Sequence, residues 1–294
     1  MEWERAKNYI LLFFILLNLG LAFMWFAEYN RYTMTADQER MIHAILGQNN
    51  ISMYTRPMRR SPPMRTLNVS AFYYDVDALM YLFFDDLDAV NRMGEDYVFE
   101  DAESRLVVVN GFVSYENFSE HGFRDTALAI PRGIGENGIT RIIASNLADT
   151  FIAKYFPTFH QDSIFYTQPG LGVRVIYRQS YRGRLIHSNF IEFLITANGI
   201  RQIEMQFGRV LGHGGTSQMI FAPDEALLTF VQRIRHDATY TPMVITHMDL
   251  VYFQEYFGSD QPGTFYPAVP VYRIFIQGEA MPFLINAYRN VMID

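Results

Sequence analysis

An uncharged apolar run near the N-terminus is the feature that most limits what this chain can fold into. No acidic or basic residue occurs between Lys7 and Glu28. At roughly 1.5 Å per helical residue, the run from Asn8 to Ala27 spans about 30 Å of hydrocarbon. Aromatic residues suited to the two interfaces of a bilayer stand at its ends, namely Trp3, Tyr9, Trp25 and Tyr29. We therefore predict a transmembrane helix over residues 9–27.

A cleaved signal peptide is the alternative interpretation of the same run. Gly20-Leu21-Ala22 offers small residues at which a signal peptidase could cut. Apolar residues continue beyond that point through Phe26, further than in most signal peptides, which favours an uncleaved signal anchor. The basic residues near the two ends are equally few: Arg5, Lys7, Arg31 and Arg40. The positive-inside rule therefore leaves the orientation open.

Two residues inside the run are unusual for a segment in hydrocarbon. The amide of Asn18 favours a hydrogen-bond partner on another helix, and Gly20 permits close approach of a second backbone. Together they indicate a helix face that contacts a partner. The alternative is that a single-pass helix tolerates one asparagine without a partner, or that Asn18 pairs with its own copy.

The composition excludes several kinds of site. With 31 acidic and 24 basic residues the formal net charge is −7, so the chain lacks the basic surface that binds a phosphate backbone. We expect no nucleic-acid partner. The absence of cysteine excludes disulfide bonds, thiolate nucleophiles and zinc–thiolate sites. Half of the residues are apolar, which is enough for a sizeable core in one or two domains.

The chain beyond residue 28 predicts an α+β fold with helices packed on curled antiparallel sheets. Apolar residues at helical spacing predict helices over Thr35–Gln48, Asp77–Phe84, Thr140–Phe156 and Pro223–Arg235. Extended apolar runs predict strands over Thr66–Phe72, Tyr97–Glu100, Arg105–Val109, Phe112–Phe118, Leu171–Tyr181, Leu185–Thr196, Ile200–Phe207, Val244–Tyr256, Val271–Gln277 and Phe283–Ala287. Asn110-Gly111 predicts a hairpin, because both turn positions tolerate positive φ.

A helix followed by strands occurs twice in the second half of the chain. The likeness is one of pattern and not of residue identity. We therefore divide the part beyond the apolar run into an N-terminal subdomain, residues 28–139, and a region of helix plus antiparallel sheet, residues 140–294. The latter contains two units, at about 140–215 and 216–294.

No motif predicts a catalytic, metal or cofactor site, and we expect no enzymatic activity. The seven histidines form no HExxH or HxH pair; they are His43, His121, His160, His187, His213, His236 and His247. The acidic cluster Asp85, Asp86 and Asp88 lacks the spacing of a calcium loop and is expected to be solvated. The glycine-rich segment 208–217 lacks the spacing of a phosphate loop, and we expect a mobile loop there.

Two further segments offer binding surfaces. Residues 56–65 hold four arginines among three prolines, and this loop could meet anionic lipid headgroups or simply be solvated. Aromatic residues near the C-terminus could line a groove that captures a peptide or a cell-wall fragment; they are Tyr252, Phe253, Tyr256, Phe257, Phe265 and Tyr266. An anchored binding module is therefore the second functional hypothesis.

Several short segments resemble the YycI family, regulators that accompany the YycG (WalK) histidine kinase of low-GC Gram-positive bacteria. They are Met1–Lys7 (MEWERAK), Leu17-Asn18-Leu19 in the apolar run, Arg105–Gly111 (RLVVVNG), Asp224–Leu227 (DEAL), Pro267-Ala268 and Ile285–Tyr288 (INAY). The resemblance covers most of the chain in pattern. The tryptophan and lysine before an asparagine-containing helix are its most specific part.

The resemblance implies a non-enzymatic membrane regulator of two-component signalling in cell-wall metabolism. It implies that residues 1–8 are cytoplasmic and that a cystatin-like or PepSY-like module lies outside the cell membrane. The implied partners are the sensor histidine kinase and a YycH-like protein, contacted through transmembrane helices. Carried over by position, the interaction surface is the helix around Asn18 and Gly20, flanked by Trp3 and Trp25.

Overall fold

A computed structural model describes residues 2–70, 74–93, 97–109, 111–119, 123, 139–167, 172–235, 242–255, 265–279 and 281–293. The helices are α1 (Glu2–Arg31), α2 (Ala36–Gln48), α3 (Val76–Phe83), α4 (Arg141–Tyr155) and α5 (Pro223–Ile234). The strands are β1 (Ile51–Met53), β2 (Met64–Ser70), β3 (Asn91–Met93), β4 (Tyr97–Glu100), β5 (Ser104–Val109), β6 (Phe112–Asn117), β7 (Phe159–Tyr166), β8 (Val173–Tyr181), β9 (Arg184–Thr196), β10 (Gly199–Gln206), β11 (Val210–Gln218), β12 (Met243–Phe253), β13 (Phe265–Ile276), β14 (Phe283–Asn286) and β15 (Val291–Ile293).

Local sequence signals account for where the helices begin. At α2, the Thr35 hydroxyl accepts a hydrogen bond from the Gln38 amide (3.3 Å), and the Gln38 side chain accepts one from the Thr35 amide (2.8 Å). At α4 the Thr140 hydroxyl accepts a hydrogen bond from the Ile143 amide, and Pro223 occupies the first turn of α5. These residues satisfy or remove N–H groups that a helix start leaves unpaired. The four helices predicted beyond the apolar run are confirmed, each to within one residue at either end.

The chain divides into two compact units, each assembled from segments distant in sequence. The first unit comprises residues 1–64, 217–249 and 271–294, and the second comprises residues 65–216 and 250–270. The predicted boundary at residues 139/140 falls inside the second unit, whereas the one at about 215/216 lies one residue from a unit boundary. The units also differ from consecutive segments because β12 and β13 each contribute one end to each unit.

The first unit is a mixed sheet with α5 packed on it. β1 runs parallel to the beginning of β12, with Ile51 opposite Met243, whereas β13, β14 and β15 pair antiparallel. The Phe230 ring of α5 lies 5.3 Å from the Phe283 ring of β14. The sheet of this unit is therefore mixed, whereas the sequence predicts antiparallel sheets. Nearly 200 residues separate β1 from β12, and local patterns do not specify the direction of so distant a pairing.

The second unit contains an antiparallel sheet in the order β3-β4-β5-β6-β10-β9-β8-β7. α4 packs on β7 and β8 and buries Phe151, whose ring lies 5.3 Å from Phe193 and 5.6 Å from Phe123. Phe83 of α3 stacks on Tyr115 of β6 at 4.4 Å. Together with the first unit and α1, this sheet makes the protein α+β, as predicted.

Tight turns join the strands of this sheet where the sequence predicts them. Between β8 and β9, Arg182 and Gly183 have φ of 49° and 79°, as a two-residue hairpin turn of the right twist requires. Gly199 (φ 108°) begins β10, and Gly111 (φ 76°) precedes β6. The predicted β5–β6 hairpin is confirmed, with Val109 opposite Phe112.

The expected mobile loop at residues 208–217 is wrong, because β11 occupies most of it and pairs with β2. Glycine is needed there for close packing. A Cβ on Gly208 would lie 2.2 Å from the Ser70 carbonyl oxygen, and one on Gly214 would lie 2.3 Å from the Asn68 side-chain oxygen. In sequence, a segment whose glycines allow close packing looks the same as a flexible glycine-rich linker.

All ten predicted strands occur, and β1, β3, β7, β11 and β15 are additional. β13 begins six residues before its predicted start, although it contains Pro267 and Pro270. Some predicted features lie outside the described residues: Phe72, Asn110, His121, Leu171, His236, Tyr256 and Phe257. Three features of this fold bear on function: the helix α1, a cluster of aromatic and basic residues in the second unit, and several acidic groups.

Candidate functional site

α1 carries the predicted transmembrane segment. Its apolar stretch, Lys7–Ala27, has 21 residues, and none of it is buried against the rest of the chain. A helix of that length is long enough to cross the hydrocarbon of a bilayer. Within the described residues it is the one helix with this length and composition. The chain therefore has a single N-terminal apolar helix of the kind that serves as a membrane anchor or a signal sequence.

Helix geometry separates the four predicted contact residues into two groups. Successive residues of an α-helix are rotated by about 100°, so Trp3, Asn18 and Trp25 fall within a sector of roughly 60°. Gly20 is about 200° from Asn18 and lies on the other side. One flat contact face therefore cannot hold both Asn18 and Gly20. The sequence contained this information, because a separation of two residues never places side chains together on a helix.

A longer stripe runs through Asn18 along the same side of α1. Its members follow one another at alternating intervals of four and three residues: Lys7, Leu11, Phe14, Asn18, Leu21 and Trp25. This is the heptad spacing with which two helices pack side by side, in membranes as in soluble coiled coils. We call these six residues the Asn18 stripe. Its heptad spacing is readable from the sequence alone, although only Asn18 and Trp25 of its members are among the predicted contact residues.

The Asn18 amide is only partly satisfied by α1 itself. Its Nδ2 donates to the Phe14 carbonyl oxygen one turn earlier, at 2.8 Å. No hydrogen bond to its Oδ1 occurs within the described part of the chain. An amide oxygen facing hydrocarbon favours a donor on a neighbouring helix. Asn18 is thus the polar group of α1 best placed to specify a partner.

The second unit brings together two tyrosines, two arginines and a histidine from four strands and one turn. We call Tyr181, Arg182, Arg184, His213 and Tyr252 the Tyr181 cluster. The Tyr181 ring lies 5.3 Å from the His213 ring, which lies 6.3 Å from the Tyr252 ring. The Arg182 guanidinium carbon is 5.6 Å from the Tyr181 ring centre. Such a cluster offers an aromatic surface with positive charge at its edge.

Tyr252 forms the buried part of the Tyr181 cluster. Burial raises the pKa of its phenol, while the nearby Arg184 guanidinium acts in the opposite direction. Arg184 is held in place by donating to the Leu250 carbonyl oxygen at 3.4 Å. Among the other aromatics of the predicted groove, Phe265 is exposed on β13 opposite Ser70 of β2. Of the aromatic residues predicted to line a groove, Tyr252 thus belongs to the Tyr181 cluster.

The acidic residues predicted to be solvated lie beside a surface depression. Asp85 and Asp86 line a cleft of about 410 Å³ together with Asp101 and Glu103. Two of these carboxylates accept hydrogen bonds from the backbone of turns. Asp86 accepts from the Asp88 amide at 3.0 Å, and Asp101 accepts from the Glu103 amide at 2.9 Å. The residues that the structure describes include no group of three or more carboxylate or imidazole side chains arranged to hold a metal ion.

One carboxyl group of the second unit has a perturbed pKa. Burial raises the pKa of Glu204, and Glu192 on the neighbouring strand raises it further. Arg174 forms an ion pair with Glu192, and Gln202 donates to Glu204 at 2.7 Å. No sequence pattern predicts this group. Its members become neighbours only through the register of β8, β9 and β10.

The comparisons with known proteins bear on the fold alone. No protein-family model and no curated protein matches the sequence. A crystal structure of an uncharacterized protein from Eubacterium rectale is similar, with 11% identity, a TM-score of 0.53 and coverage of 84% of this chain and 91% of that one. The C-terminal domain of Bacillus megaterium YpeB gives 10% identity, a TM-score of 0.40 and coverage of 76% and 97%.

Proposed function

We propose that the chain is a membrane-anchored, non-enzymatic regulator of a sensor histidine kinase, similar to the YycI family. In this proposal residues 1–8 are cytoplasmic, residues 9–27 cross the cell membrane, and a cystatin-like or PepSY-like module follows outside. The partners are a YycG/WalK-like kinase, which controls cell-wall metabolism, and a YycH-like protein. The observation that supports the proposal best is the Asn18 stripe, an unburied heptad face with one under-satisfied amide.

Lateral contact with a kinase helix regulates the kinase only if it favours one signalling state over the other. A preference of about 1.4 kcal/mol shifts the ratio of two states tenfold. Hydrogen bonds between polar side chains of membrane helices contribute about 0.6 to 2 kcal/mol. One bond from Asn18 to a donor that is available in only one kinase state is therefore of the required size.

The test compares two substitutions on opposite sides of α1. Asn18→Leu removes the amide from the stripe, and Gly20→Leu adds the same side chain on the other side, where no atom lies within 4 Å of the position of a Cβ. We expect Asn18→Leu to weaken association with the kinase about 3- to 30-fold. Gly20→Leu should leave association unchanged. Association is measured by energy transfer between labelled chain and kinase in lipid vesicles.

Two outcomes contradict the proposal. Equal energy transfer for the original chain and Asn18→Leu removes Asn18 from the contact. A loss with Gly20→Leu alone moves the contact to the opposite side of α1. Neither substitution changes the soluble part of the chain, so the circular dichroism of that part serves as the control for folding.

A second candidate function is an anchored binding module for a peptide or a cell-wall fragment. The Tyr181 cluster favours it, because aromatic rings beside guanidinium groups bind ligands that carry both a flat face and an anionic group. Arg182→Gln should weaken binding of such a ligand, whereas Arg92→Gln, which changes another exposed arginine, should not. Binding that persists in the soluble part from residue 30 onward, without any effect of the α1 substitutions, favours this candidate.

A further inference from the structure

The arginine-rich segment is tied to the residues at which the chain leaves α1. The Met34 amide donates to the Arg59 carbonyl oxygen at 2.7 Å, and the Ser61 amide donates to the Tyr32 carbonyl oxygen at 3.0 Å. Thr33 and Arg60 form an antiparallel bridge between these two bonds. Tyr32 directly follows the last residue of α1. Residues 59–61 therefore lie one strand spacing, about 5 Å, from the exit of the helix.

This position corresponds to the headgroup layer of a membrane crossed by α1. The apolar stretch ends at Ala27, and the four further helical residues to Arg31 add roughly 6 Å of length. The headgroup layer extends about 5 to 8 Å beyond the hydrocarbon on each side. Residues 32–34, and with them residues 59–61, therefore emerge at the depth of the lipid phosphates.

The same segment is basic and locally organised. Residues 54–63, which we call the arginine loop, contain three arginines and no acidic residue. The Arg56 and Arg59 side chains are 80% and 50% exposed. Glu39 of α2, only 13% exposed, accepts from Arg59 at 2.5 Å, lies 4.0 Å from the Arg56 guanidinium and fixes the loop to that helix, offsetting one of its three positive charges. In a chain with a net charge of −7, this is a concentration of positive charge at one defined place.

We infer that the arginine loop binds the anionic phospholipid headgroups of the bilayer that α1 crosses. Guanidinium groups bind phosphate oxygens in a two-pronged geometry and are attracted to anionic surfaces. The exposed Tyr54 at the start of the loop suits the same interface. The inference rests on the proposed membrane anchor and not on the proposed kinase partner.

The experiment uses the full chain in lipid vesicles. The chain has no cysteine, so Thr55→Cys introduces a single labelling site next to Arg56. A fluorophore at this site is quenched by lipids that carry a nitroxide on the headgroup. We expect stronger quenching in vesicles containing phosphatidylglycerol than in vesicles of phosphatidylcholine alone. Arg56→Gln should lower the loop–headgroup association constant about fivefold, and the exposed control Arg201→Gln should leave it unchanged.

The outcomes separate failure of the inference from failure of the anchor. Alkaline extraction that releases the chain from the vesicles overturns the anchor and the inference together. A chain that resists extraction but shows equal quenching in the two kinds of vesicle overturns the inference alone. Equal quenching of the original chain and Arg56→Gln also overturns it, because the attraction would then come from elsewhere.

Discussion

Replacing Gly208, two residues before β11, with alanine tests the close packing of this segment against β2. The added Cβ would lie 2.2 Å from the Ser70 carbonyl oxygen and 2.8 Å from the Val69 side chain. Real Cβ atoms stay at least 3.0 Å from such neighbours, so the backbone must shift. Asn189 resists the shift, because its buried side chain donates to the Gly208 carbonyl oxygen at 3.1 Å.

The expected magnitude follows from the cost of overpacking. Inserting a methyl group into a packed site destabilises a protein by about 1 to 3 kcal/mol. For a unit of this size each kcal/mol lowers the melting temperature by about 2 to 4 °C, so we expect a decrease of about 2 to 12 °C. In a mobile loop the same substitution would stabilise the fold by about 0.4 to 1 kcal/mol, because alanine restricts the unfolded chain.

The sign of the change in melting temperature therefore distinguishes a closely packed segment from a mobile loop. The assay is thermal unfolding of the full chain in detergent micelles, followed by circular dichroism. Gly47→Ala in α2 is the matched control, since no atom lies within 4 Å of its Cβ position, and it should raise stability by up to about 1 kcal/mol. A higher melting temperature for Gly208→Ala would refute the packing argument.

Two further predictions concern the second unit. Phe151→Ala should cost about 3 to 5 kcal/mol in denaturant unfolding, because Phe151 is fully buried, whereas Ile142→Ala on the 72% exposed side of the same helix should change stability by less than about 0.5 kcal/mol; equal costs would contradict the packing of α4. Folding raises the pKa of Glu204 above its usual 4.5. The fold therefore loses stability as the pH rises from 4.5 through the raised pKa and the carboxyl group ionises. Glu204→Gln should therefore stabilise the protein at about pH 7.5 and not at about pH 4, and equal melting-temperature shifts at both values would refute it.

The elements that the sequence predicts well are those with local signals. α2 has its capping threonine, and the β8–β9 hairpin has the arginine and glycine that adopt positive φ. Apolar periodicity likewise predicts the face of α5 that the structure buries. On α4 it predicts the burial of Leu147, Phe151 and Ile152, but also that of Ile142, which is 72% exposed. These signals act within a few residues, so they can be read from the sequence without knowledge of the tertiary structure.

The features that the sequence does not predict depend on contacts between distant segments. Gly208 and Gly214 are needed because Ser70 and Asn68 of β2 lie against them, and nothing in residues 208–217 indicates those neighbours. The parallel pairing of β1 with β12 also joins distant segments. So does the assembly of each unit from separate stretches of the chain. Short strands such as β1 and β15 also have too few residues for a period of two to be visible.

The candidate site divides in the same way. Asn18 stands out in an apolar run, and helix geometry alone places Trp3 and Trp25 on its side of α1 and Gly20 on the other side. The Tyr181 cluster could not be predicted, because its members come from β8, the following turn, β9, β11 and β12. The bonds between residues 32–34 and 59–61, which position the arginine loop, likewise join segments that the sequence keeps apart.

The central claim, that α1 recognises a sensor kinase within the membrane, is tested most directly by exchanging the helix. Residues 9–26 are replaced by a plain leucine helix, and both chains are captured from gently solubilised membranes for identification of bound proteins by mass spectrometry. The proposal predicts a histidine kinase with the original helix and none with the leucine helix. Recovery of no kinase with either chain, or of equal amounts with both, would contradict recognition by α1.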